Sequence, residues 1–318
     1  MTPRAIEQPT LDEIRAARAR IAPMIVRTPL VRLQVDAPAE IYLKLESLQP
    51  IGSFKLRGAG NAIATLGAER LAHGVYTASA GNMAQGVAWG ARALGVPCSV
   101  VMPDSAPRTK VEAVRRLGAA IVQVPYDEWW QTLVDRGRSG MRGAFIHPVA
   151  DPAVIAGNGT IGLEVVEDLP SVEAVLVPFG GGGLVSGIAS AIRALSPSTA
   201  VFGCEVATST PLTAALAAGG PVTVERTPSF VDGIGGRGLL PEMWPLVRRL
   251  VDGALVASLD EVASAVRLLV ERARIVAEGA GATPVAAALA GRGGGGKVVC
   301  IVSGGNIDTS VLADLMRR

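Results

Sequence analysis

Histidine and cysteine are scarce in this chain: 318 residues hold two histidines, His73 and His147, and three widely separated cysteines, Cys98, Cys204 and Cys300. That count excludes a disulfide scaffold, a zinc ribbon and a histidine-rich metal centre. Charge of one sign is also lacking, since 30 Lys+Arg stand against 28 Asp+Glu for a net charge of +2. A protein dominated by phosphate-backbone binding would need a clustered basic excess, so nucleic acid is not an expected partner. An apolar leader is not expected either. Met1-Thr-Pro-Arg-Ala-Ile-Glu carries charge where a secretory signal needs an unbroken apolar run, which makes a reducing cytoplasm the expected compartment. One uncharged stretch, Ala174 to Ile192, is about long enough to cross a bilayer. It contains Pro178 and four consecutive glycines, however, and a strand, a glycine loop and a helix explain it better than a membrane helix broken in its middle.

What remains is an aliphatic chain, 49% hydrophobic but only 4% aromatic, with 38 glycines. Its length suggests two domains or one large α/β unit, at roughly 100–200 residues per domain. Short Val/Ile-rich runs alternate with longer Ala/Leu/Arg segments of helical period, the pattern of parallel strands covered by helices on both faces. Strands are expected at Ile41–Leu45, Val75–Ala78, Ser99–Met102, Ile121–Val124, Ala144–Ile146, Ala174–Pro178, Val201–Val206 and Val298–Val302. Helices are expected at Ala84–Leu94, Lys110–Leu117, Gly159–Asp168, Leu184–Leu195 and Leu259–Glu278, with Gly95 and Gly118 as C-terminal caps. No repeat or long linker separates two halves, so a smaller domain at 47–147 is read as inserted between 1–46 and 148–318. Gly291–Gly296 reads as a surface turn before the last strand. Its likeness to a nucleotide-triphosphate loop fails, because Val298 stands where Ser or Thr is required and the loop precedes its strand.

Three short stretches carry chemistry. Pro178-Phe179-Gly180-Gly181-Gly182-Gly183-Leu184 follows a buried strand and opens a helix, where bare N–H groups converge on an anion, most naturally a phosphate. The dinucleotide fingerprint fits no register here, which favours a cofactor with one terminal phosphate; a glycine-rich turn without ligand is the bland alternative. Ser79-Ala80-Gly81-Asn82-Met83 also joins strand to helix and would suit a substrate carboxylate, against the alternative that Ser79 or Asn82 is an ordinary N-cap. Ser53-Phe54-Lys55-Leu56-Arg57-Gly58 sets a lysine among small and apolar residues. Most lysines are simply solvated, but burial lowers a lysine pKa and a neutral amine can form an imine. An imine lysine, a single-phosphate loop and a carboxylate loop together point to pyridoxal phosphate (PLP) acting on an amino acid.

Over nearly its whole length the chain resembles the fold-type II PLP enzymes of the threonine/serine dehydratase and serine racemase group. The matching stretches are Glu46-Ser-Leu-Gln-Pro-Ile-Gly-Ser-Phe-Lys55-Leu-Arg-Gly, Ala78-Ser-Ala-Gly-Asn82, Asp151-Pro-x-Val-Ile-Ala-Gly-Asn-Gly-Thr160, the tetraglycine loop and Ser303-Gly-Gly-Asn-Ile-Asp308. The resemblance implies a tryptophan synthase β-like α/β fold of two open, twisted, mostly parallel sheets flanked by helices. It also implies that Lys55 holds PLP as an imine and later moves protons, and that Gly180, Gly181, Gly182 and Gly183 bind its phosphate. By the same resemblance Asn82 meets the ring 3-hydroxyl, Phe54 packs by the ring and Ser303 faces the pyridine nitrogen, which a neutral serine leaves unprotonated. Ser79, Ala80, Gly81 and Asn82 would grip the substrate carboxylate, with Met83 beside them.

The implied activity is dehydration and deamination of a β-hydroxy amino acid, with L-threonine or L-serine as default substrate, giving a 2-oxo acid and ammonia. The β-hydroxyl would leave with a proton supplied near the phosphate. The sulfhydrylase branch has Asp-Arg after its lysine and a threonine in its phosphate loop, unlike Leu56-Arg57 and the all-glycine loop here. Racemase-like members carry a second serine where this chain has Ala80, which favours elimination over racemisation. Many dehydratases have His where this chain has Met83, so an aryl-serine such as phenylserine is an alternative substrate and helix packing the alternative role for Met83. Met83, Phe230 and Ile234 are candidates for lining the pocket. A racemase-like isomerase and a silent PLP sensor are the remaining alternatives. The cation site of racemase-like members matches Glu205, but its Asp falls at Pro211, and no metal is assigned. The resemblance further implies a homodimer. With ten residues after Asp308, no C-terminal regulatory domain is expected.

Overall fold

The computed structural model describes residues 5–106 and 108–317. Among these, ten strands are present: β1 Leu30–Arg32, β2 Glu40–Lys44, β3 Val75–Ala78, β4 Cys98–Pro103, β5 Ala120–Val124, β6 Ala144–Phe145, β7 Ala174–Pro178, β8 Ala200–Val206, β9 Gly253–Ala257 and β10 Lys297–Ile301. They form two sheets, one of six strands in the order β1-β2-β10-β7-β8-β9 and one of four in the order β5-β4-β3-β6. Every pairing between them is parallel except that of β1 with β2. Helices flank both sheets, as the α/β reading expects.

Parallel strands joined by helical crossovers are buried on both faces, and side-chain alternation here feeds two separate cores. In the large sheet Val175, Val177, Val299 and Ile301 pack into one core with Ile188, Ile192 and Leu246. Their neighbours Leu176, Cys204, Val298 and Cys300 pack into the opposite one with Val262, Val266 and Val285. The small sheet repeats the pattern, with Val100 and Met102 on one side and Val101 beside Tyr76 on the other.

The uncharged stretch resolves as β7, a glycine loop and the helix Gly183–Leu195. No helix among the described residues is long and apolar enough to cross a membrane. Gly95 and Gly118 take the left-handed conformations of helix caps, at φ +67° and +88°.

Two sequence expectations need correction. The helix expected at Gly159–Asp168 begins at Pro152, because Asp151 caps it by accepting from the Ala153 and Val154 amides and proline is compatible with the first helical position. The helix expected at Leu259–Glu278 ends at Leu268 and passes into one π turn, Leu269–Ala273, closed by Arg274 at φ +60°. Glu278 therefore does not end that helix; it is the N-cap residue of the next one, Gly279–Leu289. Strands β1 and β9 lie outside the expected set; both sit at the edges of the large sheet and are largely half-buried or exposed, and β1 is only three residues long.

Candidate active site

A cavity of about 360 Å³ receives the cofactor- and carboxylate-binding residues expected from the motifs: Phe54, Lys55, Ser79, Ala80, Gly81, Asn82, Met83, Gly180, Gly181, Gly182, Gly183 and Ser303. A larger open groove of about 1190 Å³ beside the N-terminal segment contains none of them. Convergence, not size, marks the smaller cavity as the candidate site.

Each stretch reaches the cavity from the end of an element. Lys55 is the first residue of the helix Lys55–Ala64. Its approach is fixed by the Phe54 amide, which donates to the Ser303 carbonyl at 2.9 Å, and by a bridge between Ser53 and Gly304. The Lys55 side-chain nitrogen lies 3.1 Å from the Pro148 carbonyl and 5.1 Å from the centre of the Phe54 ring. Burial holds its pKa down at about 8, against an opposing pull from Glu278.

The tetraglycine loop runs from β7 into the helix Gly183–Leu195, placing the first amides of that helix on the cavity. Gly182 sits at φ +92°, and a Cβ there would come within 2.8 Å of Val247. A Cβ on Gly181 would lie 2.7 Å from Val149. Val149 is itself held by His147, whose Nδ1 accepts from the Val149 and Ala150 amides at 3.1 and 2.8 Å. Burial, reinforced by Arg136 and Lys55, drives the His147 pKa down to about 3, so its ring is neutral at physiological pH.

The Ser79–Met83 loop enters the helix Asn82–Ala93. Neither N-cap alternative holds: Gly81 occupies that position without a side-chain cap, and Ser79 Oγ accepts from the Gly81 amide at 3.2 Å. The Asn82 side chain instead donates to Glu278 Oε1 at 2.9 Å and accepts from Asn306 Nδ2 at 2.8 Å. Met83 is 2% exposed and packs among Ala59, Ile63 and Val87, while bordering the cavity. Ile234 lines the cavity, but Phe230 does not; it packs against the core beside Val231 and Gly279.

Residues the sequence did not nominate complete the wall. Lys110 and Asp232 join across it in an ion pair of 2.6 Å, and Trp129 and Glu278 border it. Burial, helped by Asp232, pushes the Glu278 carboxyl up to about 7 despite the Asn82 hydrogen bond and the nearby Lys110 and Lys55. The one local signal for Glu278 was its place before Gly279-Ala-Gly281, a third small-residue helix start, which the helix drawn through Glu278 concealed.

Behind Lys55 lies a buried charge quartet of Lys44, Glu46, Arg57 and Glu164. Arg57 is bidentate to both carboxylates, at 2.8 and 2.8 Å to Glu46 and at 2.7 and 2.9 Å to Glu164. Lys44 adds a 2.6 Å contact to Glu164.

A model of the pyridoxal-phosphate dependent enzymes matches residues 21–304. The chain belongs to this family. Across 97% of its length this PLP enzyme is 42% identical to an L-threonine ammonia-lyase of Thermotoga maritima, covering 78% of that protein. Among solved structures, a maize serine racemase superposes with a TM-score of 0.89 at 33% identity, covering 98% of each chain. A threonine deaminase from T.th. superposes with a TM-score of 0.87 at 37% identity, covering 94% of this chain and 99% of that one. The two mostly parallel sheets are thus the fold-type II arrangement that the motifs implied.

The residues present fit PLP: a buried amine and a glycine cradle at a helix N-terminus, which Cβ atoms would obstruct, share one cavity. They do not fit a cation at the position suggested by Glu205. Its carboxylate accepts from the Leu212 amide at 2.6 Å, the Thr213 amide at 2.9 Å and the Thr213 hydroxyl at 2.7 Å. Those donors open the helix Pro211–Ala218, so its N-terminus supplies the positive charge, and Pro211 brings no carboxylate.

Proposed function

We propose that this chain eliminates water and ammonia from a β-hydroxy amino acid, with L-threonine and L-serine as first substrates, giving a 2-oxo acid. The observation that carries this reading is the convergence of Lys55, its pKa lowered by burial, with a phosphate-type glycine loop and a carboxylate-type loop in one cavity. The activity printed for the Thermotoga maritima relative supports the same class. The inserted unit at 47–147 belongs to this reading: β3 to β6 fall within it, and the cavity draws walls from both sides of the division. A cytoplasmic homodimer completes it, tested by cell fractionation and by light scattering for a particle of twice the chain mass.

PLP supplies the electron sink that accepts the pair released when the Cα–H bond breaks. Gly180 to Gly183 and the helix behind them bind its phosphate, Asn82 its ring oxygen, and Phe54 and Ser303 its ring. Burial lowers the Lys55 pKa to about 8, so far more of the amine is neutral near physiological pH than in an ordinary lysine. Lys55 can therefore serve as nucleophile toward the cofactor carbonyl and as base for the Cα proton without first losing a tightly held proton. The substrate carboxylate docks at the Ser79–Asn82 turn, where the first amides of the helix Asn82–Ala93 are available. Ala80 offers that loop only a methyl group, so it provides no acid to return a proton to the opposite face of Cα. That favours elimination over the racemase chemistry of the maize neighbour.

The test is the absorption of lysine-bound PLP in the purified protein together with 2-oxo acid release from L-threonine, L-serine, D-serine, 3-hydroxyaspartate and threo-phenylserine. A PLP band with rapid release from L-threonine or L-serine is expected; release from threo-phenylserine alone would redirect the reading to an aryl-serine dehydratase. A band without release would replace elimination by racemisation or sensing. Lys55→Ala should abolish turnover with the fold retained, and appreciable release by that variant would overturn the mechanism.

A further inference from the structure

The Asn82 amide has two donors and one acceptor oxygen, and most of that capacity is committed within the protein. Its oxygen accepts from Asn306 Nδ2 at 2.8 Å, and one N–H goes to Glu278 Oε1 at 2.9 Å. Asn306 is itself tethered, since the same nitrogen donates to the Ile51 carbonyl at 2.9 Å. Glu278 is anchored through its backbone, whose amide donates to the Gly304 carbonyl at 3.0 Å. A continuous chain, Ile51–Asn306–Asn82–Glu278, therefore runs up to the cavity, whose wall includes Asn82 and Glu278. It fixes which end of the amide is nitrogen and leaves one N–H for a ligand. An amide free to rotate would present oxygen as readily as nitrogen.

We propose that Glu278 and Asn306 are positioning residues that lock the Asn82 amide so that its remaining N–H faces the cofactor ring oxygen. The proposal rests on the reading of Asn82 as a cofactor partner. It adds two residues outside the motif roles and assigns Glu278 a second effect, because its carboxyl is the buried acid that shares the cavity with Lys55. The charged groups around Glu278 are Lys55 from its helix, Lys110 from the helix Arg108–Arg116 and Asp232 from the loop before Ile234. Lys110 and Asp232 pair with each other at 2.6 Å, and Lys55 shares the cavity with Glu278, so a change in Glu278 ionisation alters the charge balance at Lys55 as well as at that pair.

The experiment compares Glu278→Ala, Glu278→Gln and Asn306→Ala with the parent enzyme, by PLP titration of each apoprotein and by the spectrum of lysine-bound PLP from pH 6 to 9. Glu278→Ala and Asn306→Ala should each weaken PLP binding about tenfold, the size of one well-formed hydrogen bond, and shift the band. Glu278→Gln retains an acceptor for Asn82, so its affinity should stay within about threefold of the parent while the spectral transition near pH 7 disappears. If Glu278 and Asn306 had only structural roles, thermal midpoints would fall while affinity, band position and pH profile stayed at parental values; that result overturns the clamp. Failure of the parent itself to bind PLP would instead overturn the proposed function, so the two failures are distinguishable.

Discussion

Replacing Arg57 by methionine keeps most of the side-chain volume and removes the charge from the buried quartet. Arg57 and Lys44 are 0% exposed, as is Glu46, and Glu164 is 2% exposed. Without Arg57, Lys44 faces two carboxylates, and one negative charge is buried with no partner cation. Breaking a buried pair in this way costs about 3–5 kcal/mol, because the remaining charge keeps its desolvation penalty. With about 2.1 cal/mol/K of unfolding entropy per residue over 318 residues, the thermal midpoint should fall about 5–8 °C.

The sign of the pH dependence makes the test specific. In the parent, burial alone would raise the Glu46 pKa, but Arg57, with help from Thr28 and Lys44, outweighs it and holds the carboxyl below its ordinary value. The resulting stabilisation is complete above the unfolded carboxylate range near pH 4.3 and is lost only as pH falls through the lower folded value. Without Arg57 burial prevails, the folded pKa rises above the unfolded one, and lowering the pH from 7 to 5 should narrow the deficit of Arg57→Met. Removing the stranded charge as well, in Arg57→Met/Glu46→Gln, should recover at least half the loss, a coupling between contacting residues that a double-mutant cycle measures. Thermal melts at pH 7 and pH 5.5 decide the matter. A loss under about 1 kcal/mol, an equal loss at both pH values, or simple additivity in the double variant would each refute the reasoning.

Three further outcomes are expected. Gly182→Ala must hold a φ of +92° with its Cβ 2.8 Å from Val247, so PLP affinity should fall at least tenfold in an apoprotein titration, and an unchanged affinity would remove the loop from the phosphate site. The rate at which apoprotein forms lysine-bound PLP, followed by stopped-flow absorbance, should rise with pH and level off above about 8 as Lys55 loses its proton; a rate still climbing tenfold per unit at pH 9.5 would show an ordinary lysine. Because Glu205 is satisfied by the Leu212 and Thr213 donors, EDTA should change neither the thermal midpoint nor turnover, and a fall in either on chelation would reveal a cation site.

What could be read from the sequence was local. Val/Ile runs such as Ala174–Pro178 declare themselves because strands buried on both faces must be apolar throughout, whereas the short apolar run Gly253–Ala257 is a half-buried edge strand that composition alone does not distinguish from a piece of helix. The Lys55, Ser79–Met83 and tetraglycine stretches were visible because each works through a few consecutive residues at an element end. Relations between distant positions left no comparable mark. Asn82 and Glu278 are 196 positions apart, and Arg57 and Glu164 are 107 apart, so Glu46 and Arg57 could be seen within one motif while the carboxylate completing their network could not. Phe230 illustrates the converse, an aromatic residue near the pocket in sequence whose ring the fold turns into the core.

The quartet and Lys55 belong to one mechanical unit. Lys55 and Arg57 are two residues apart on a helix, roughly 200° around its axis, so one side chain reaches the cavity while the other reaches the interior. Their backbones are gripped from both sides: a Cβ on Gly86 would lie 3.0 Å from the Lys55 carbonyl, and one on Gly157 would lie 2.4 Å from that of Arg57. Glycine at those two points lets the helices Asn82–Ala93 and Pro152–Asp168 close on the Lys55 helix, and Arg57 then bonds to Glu164 on the second of them. A hydrophobic replacement of the quartet could match its stability, since burying four charges carries a large desolvation cost. It could not reproduce the bidentate geometry that fixes the helix in register, and with it the placement of the Lys55 nitrogen. An apolar redesign of Lys44, Glu46, Arg57 and Glu164 should therefore retain thermal stability better than Arg57→Met, yet lose more of the rate at which Lys55 captures PLP.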